Sequence, residues 1–192
     1  MQTGVLWFRE QMKSKKFRIF MLVGMLLSIG LAAELRMFSY SLSKIFRLLV
    51  LIVGLFFIAW IDQHEKKIPN KILKLLLLFR ILLLAVEWIQ IPGLGFSLLI
   101  SSFLGLFAGG GMLLLVYFIS KGGVGMGDVK LLGTVGSYVG ISSIMPVAFL
   151  TVLVSAFYSI ALLLLKKISL KEEIPFAPFV LAGTILTIAL GM

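Results

Sequence analysis

The chain has only two aspartates, Asp62 and Asp128, among eight acidic residues in 192. Each lies at the edge of an apolar run, the first in "FFIAWIDQHEKKIPN" and the second in "SKGGVGMGDVKLL". An acid costs about 2.5–3.5 kcal/mol at the centre of a membrane helix and less toward the interface, so it usually has a partner or a task. Two carboxylates brought to about 3–5 Å do not both ionise readily. One keeps its proton, and the pair then holds an acid and a base in one site. Such a pair suits hydrolysis of an amide: the ionised carboxylate deprotonates a water as it attacks the carbonyl, and the protonated one donates to the carbonyl oxygen. No nucleophilic side chain, metal or other cofactor is required. There is no cysteine, and the single His64, on a charged loop, lacks co-ligands for a metal and reads as a solvated interfacial residue. For either aspartate alone, neutralisation by Lys66, Lys67 or Lys130 is the competing reading.

Four glycines, Gly122, Gly123, Gly125 and Gly127, precede Asp128. They permit positive φ and leave the backbone without Cβ atoms, so an extended peptide could approach the loop and hydrogen-bond to it. A flexible interfacial loop is the plainer alternative.

The elements that must position these residues follow from composition. With 60% hydrophobic and 14% charged residues and a mean hydropathy of +1.13, the chain cannot bury its apolar side chains in one small water-soluble globule. Its solvent is a bilayer. The net charge of +10 does not indicate nucleic acid, because the eighteen Lys and Arg fall in short clusters between apolar runs and form no basic face. "REQMKSKKFR" before the first apolar run, without a small-residue cleavage site, reads as the flank of an uncleaved span.

A span needs about 20 apolar residues, or fewer where the bundle accommodates it. The pattern predicts an all-α polytopic membrane protein, a single bundle of about seven transmembrane helices, six to eight being compatible. They run from Phe17 to Ala33, Ile45 to Ile61, Ile72 to Ile89, Leu94 to Ile119, Val129 to Ile141, Ile144 to Leu165 and Phe176 to Gly191. "GISSIMP" is the turn expected between the fifth and the sixth. Alternation of sides then gathers Arg9, Lys13, Lys15, Lys16, Arg18, Lys66, Lys67, Lys71, Lys74, Lys121, Lys130, Lys166, Lys167 and Lys171 on one face. Arg36, Lys44 and Arg47 fall on the other, with Arg80 inside a span. The positive-inside rule makes the first face cytoplasmic, with the N-terminus in and the C-terminus out. Both aspartates lie at that face, at the same depth. Glycines in "GLFAGGG" (105–111) and at Gly133, Gly136 and Gly140 mark close helix packing. No internal repeat or linker divides the chain, so residues 1–192 are expected to form a single peptidase domain.

At this point the residues resemble a known family. "GMGD" (125–128) fits the GxGD pattern of intramembrane aspartyl proteases, and "IDQHEKKIPN" (61–70) looks like the first-aspartate segment of type IV prepilin peptidases. "GDVKLL" (127–132) and "IPFAPFVLAG" (174–183) follow in the same order, so the resemblance covers about residues 45–192. It implies that Asp62 and Asp128 are the catalytic pair and that Gly125, Gly127 and Lys130 belong to the active-site loop. It further implies that Pro69 and Asn70 mark the turn after the first aspartate, and that Pro175, Phe176 and Pro178 line or brace the site. The presenilin-like branch uses GxGD with Tyr-Asp and Pro-Ala-Leu motifs, which "WID" and "PFAPF" do not match.

By the resemblance the substrate is a pilin-like precursor of the prepilin, Flp/Tad or preflagellin type. It is cut between a short basic leader and an apolar helix at the cytoplasmic boundary of the inner membrane. Many bacterial members also carry a cysteine-bearing insertion and methylate the new N-terminus. This chain has no cysteine, and its polar loop between the first two spans has 11 residues, on the other face. A single-function peptidase is therefore expected. The competing classes are a proton-coupled transporter using Asp62, Asp128 and Glu87, and a non-enzymatic pilus assembly factor. The absence of repeats and the placement of both aspartates at one face weigh against the first.

Overall fold

The computed structural model describes residues 14–166 and 174–192. Arg9, Lys13, Lys167 and Lys171, four of the cations assigned to the cytoplasmic face, lie outside the described residues. The described residues form seven α-helices: α1 (Lys15–Met37), α2 (Leu42–Glu65), α3 (Asn70–Gln90), α4 (Pro92–Ile119), α5 (Met126–Val139), α6 (Ile141–Leu164) and α7 (Ala177–Ala189). Serines open the first two. Ser14 accepts a hydrogen bond from the Phe17 N–H and Ser41 from the Lys44 N–H, each satisfying an orphan donor of a first turn.

Four helices, α1, α2, α4 and α6, are long and apolar enough to cross a membrane. α3 has the length but carries Lys71, Lys74, Arg80 and Glu87. α5 and α7, at 14 and 13 residues, are about 20 Å long and shorter than the roughly 30 Å hydrocarbon core. These short helices are central to the fold. Every residue of α5 from Val129 to Tyr138 except Lys130 is buried, and α2 is buried along Leu51, Ile52, Leu55, Ile58 and Ala59. α4 and α6 instead present Phe103, Phe107, Phe149 and Phe157 outward. Large apolar side chains on the outside as well as in the core are what a lipid solvent permits.

Close packing of α4 on α5 uses the predicted glycines. A Cβ on Gly105 would lie 2.2 Å from the Gly136 carbonyl oxygen, and one on Gly109 would lie 2.5 Å from that of Leu132. This antiparallel register puts Asp128 level with position 113. α4 continues six residues further, so Asp128 sits about 9 Å below its end.

Two expectations change. The break between the fifth and sixth helices is Gly140 alone, at φ +83°, and "ISSIMP" belongs to α6 with Pro146 inside the helix. Gly140 adopts the left-handed region that other residues resist, so one residue turns the chain where a longer loop was expected. Arg47 was assigned to the outer aqueous face and is instead 7% exposed. Its Nη1 lies 3.0 Å from Glu87, which also pairs with Arg80 at 3.0 Å.

Candidate active site

Asp62 lies three residues before the end of α2. The helix stops at Lys66, which has left-handed φ and donates its N–H to the Asp62 carbonyl at 2.8 Å. The carboxylate points inward and is 4% exposed. Its Oδ2 accepts the Ala177 N–H at 2.9 Å, and the Phe176 N–H also donates to it. These donors are the N-cap and first residue of α7, so Asp62 occupies the positive end of a helix dipole.

Asp128 is the third residue of α5, after Gly125 at the N-cap. Its carboxylate turns back to accept the Gly125 N–H, the geometry of one half of a capping box. The "GMGD" stretch is therefore a helix N-terminus. The Asp62 carboxylate is close enough for its charge to act on Asp128. Neither aspartate is ion-paired with Lys66, Lys67 or Lys130, in contrast to Glu87, which pairs with Arg47 and Arg80. Helix termini, and not lysines, compensate this pair.

Positive φ is not what most of these glycines supply. Of the four, only Gly122 has positive φ. At Gly125 and Gly127 the requirement is space: a Cβ would lie 3.0 Å from Asp128 Oδ2 in the first case and 3.1 Å from Ile68 Cβ in the second. Ile68 belongs to the turn after Asp62, so the two aspartate-bearing segments touch there.

The other predicted residues gather around the same end. Pro69 is the extended N-cap of α3 and Asn70 its first residue; Lys130 Nζ donates to Asn70 Oδ1 at 3.4 Å. Pro175 and Phe176 precede α7 and Pro178 lies in its first turn, a position that proline favours. His64 is exposed, with Nδ1 2.8 Å from the Trp60 carbonyl and its ring against that of Trp60. No group of three or more His, Cys, Asp and Glu suited to a metal ion occurs among the described residues.

Two features escaped the sequence. Ala177, between the predicted residues, presents the donor to Asp62 through its backbone and leaves no side-chain signature. Arg47, Arg80 and Glu87 form a buried network that continues from Arg80 Nε to the Ser137 carbonyl at 2.8 Å and to Ser102 Oγ at 3.2 Å. The spacing of 80 and 87, two helical turns, was a legible signal that they share a face.

The model of the type IV leader peptidase family matches residues 49–160, a stretch that contains both aspartates. The chain is 34% identical over 160 residues to the prepilin leader peptidase/N-methyltransferase of Bacillus subtilis (strain 168). That alignment covers 83% of this chain and 61% of the relative, so the chain spans about three fifths of the relative's length. No solved structure matches. The family match runs over more than half of the chain and brackets the two segments that meet at Asp62 and Asp128: the chain belongs to the type IV leader peptidase family.

Proposed function

We propose that this chain is a membrane aspartyl endopeptidase that removes the basic leader from a type IV pilin-like precursor at the cytoplasmic face of the inner membrane. The observation that carries this reading is the pairing of Asp62 and Asp128 at one end of the bundle, each held by a helix N-terminus and with no lysine neutralising it. Family membership supports the substrate class.

The roles divide by environment. Asp62 has two backbone donors, from Phe176 and Ala177, whereas Asp128 has one, from Gly125. Donors directed at a carboxylate favour its ionised form, and one negative charge disfavours a second beside it. Asp62 is therefore the base and Asp128 carries the shared proton. Asp62 takes a proton from water as the oxygen attacks the scissile carbonyl, and Asp128 donates to the carbonyl oxygen. Collapse of the gem-diol intermediate breaks the C–N bond: the proton taken by Asp62 passes to the leaving amine, and one diol hydroxyl returns its proton to Asp128 as the product carbonyl forms. Asp128 lies about 9 Å below the end of α4, so an extended leader junction would reach the pair from that end of the bundle.

We also infer that these residues support cleavage without N-methylation. There is no cysteine, and only positions 38–41 connect α1 to α2. The test is to incubate the purified chain in liposomes with a precursor bearing a basic leader and to weigh the product. Release of the leader with an unmethylated new N-terminus, even with a methyl donor present, is the predicted outcome. An intact precursor contradicts the peptidase reading, and a methylated product contradicts the single-function reading.

A further inference from the structure

The end of the bundle opposite the aspartates holds a cavity of about 240 Å³ between α2, α4, α6 and α7. It has room for several molecules of water, each of which takes about 30 Å³. Arg47, on its wall, precedes Asp62 by fifteen residues of α2, or about 22 Å.

Lys44 and Arg47 line the cavity, and no acidic side chain does. Arg47 has a side chain 8% exposed, and its bond to Glu87 runs through Nη1, while its Nε is buried without a hydrogen-bond partner. Glu87 is already divided between Arg47 and Arg80. Lys44, half-buried, rests its ammonium 3.8 Å from the centre of the Tyr40 ring and has no ion pair. Two buried guanidinium groups thus share one carboxylate, and Lys44 has no acidic partner, an excess of positive charge that a partly buried site tolerates poorly.

α6 begins on the same wall. Its N-cap, Gly140, has no side chain to cap it, and the Ile141 N–H is taken by Ser101 Oγ at 3.3 Å. The next two N–H groups, of Ser142 and Ser143, have no intrahelical acceptor, and both residues line the cavity. A helix N-terminus with two serines and two nearby cations is complementary to a phosphate group.

The geometry points to a binding site in this cavity for a phosphate-bearing anion, held by Lys44, Arg47 and the first turn of α6. The anion is the headgroup of an acidic phospholipid or a free phosphate.

The probes are inorganic phosphate and short-chain phosphatidylglycerol, with phosphatidylcholine of the same chain length as control. The measurement is the unfolding midpoint of the purified protein in neutral detergent, for the wild type and Lys44→Gln. Phosphatidylglycerol well above its Kd is expected to raise the wild-type Tm by about 3 °C or more. Phosphatidylcholine should not do so, and Lys44→Gln should lose at least half of the rise. A Lys44-dependent rise with inorganic phosphate alone also supports the site and identifies the ligand as a free anion. Ser143→Asp provides an independent arm, because its carboxylate favours the first turn of α6 while repelling an anion; it too should abolish the rise. The inference is overturned if neither anion raises the Tm. It is also overturned if phosphatidylcholine is equally effective, or if the variants respond as the wild type does.

Discussion

At the scale of residues, the site rests on two carboxylates and the backbone donors that hold them. If Asp62 is the base and Asp128 the acid, activity needs one proton on the pair. Rising pH removes that proton from Asp128, and falling pH protonates Asp62, so cleavage rate against pH should be bell-shaped. An initial-rate series in liposomes would check this; a rate that rises monotonically into the alkaline range would contradict it. Lys130 is exposed and bonds to Asn70 at 3.4 Å without reaching either aspartate. Lys130→Met should therefore lower kcat/KM by less than about tenfold, the equivalent of roughly 1.4 kcal/mol. The aspartates were legible in the sequence because charge is scarce in an apolar chain. Their donors were not, since a backbone N–H has no letter of its own. Gly125 and Gly127 were legible as glycines of the site, yet positive φ was the wrong reason for them. Space beside Asp128 and Ile68 is the requirement, and it becomes visible only once the segments are packed.

At the scale of elements, two short helices aim their N-termini at one site, α7 toward Asp62 and α5 around Asp128. α5 keeps its depth through α4, where glycine faces glycine. Gly136→Val should overpack that contact and lower the yield of folded protein, because the clash is with backbone that cannot rotate away. Gly111→Val, at a position with nothing within 4 Å, should be neutral in the same detergent-stability assay. The Arg47–Glu87–Arg80 network ties α2 to α3, and Arg80 extends it to α5 through Ser137. Glu87→Gln leaves two buried guanidinium groups without their counter-charge and should cost about 3–5 kcal/mol, read as a loss of thermal stability. Helix existence was readable from apolar run lengths. The break at Gly140 was misplaced because Pro146 and two serines are ordinary turn signals, whereas the chain reverses through the positive φ of Gly140, packed close to Ser101.

At the scale of the whole molecule, the buried helices carry the chemistry and the more lipid-exposed ones surround them. α2 and α5 hold the aspartates, while α4 and α6 turn aromatic faces outward. The alternation of helices gathers Lys66, Lys67, Lys71, Lys74, Lys121 and Lys130 at the aspartate end, and Arg36 and Lys44 at the other. With no native cysteine to interfere, single cysteines at positions 64 and 123 should react with an impermeant thiol reagent only from the cytoplasmic side. Labelling from the outer side would invert the orientation, although both aspartates would remain at one end. The central claim concerns the aspartates themselves. The most direct measurement is precursor cleavage by purified Asp62→Asn and Asp128→Asn in liposomes, beside wild type inserted at the same level. Each single variant is predicted to lose at least about a thousandfold in rate, roughly 4 kcal/mol of transition-state stabilisation. Processing near the wild-type rate by either one would contradict the account.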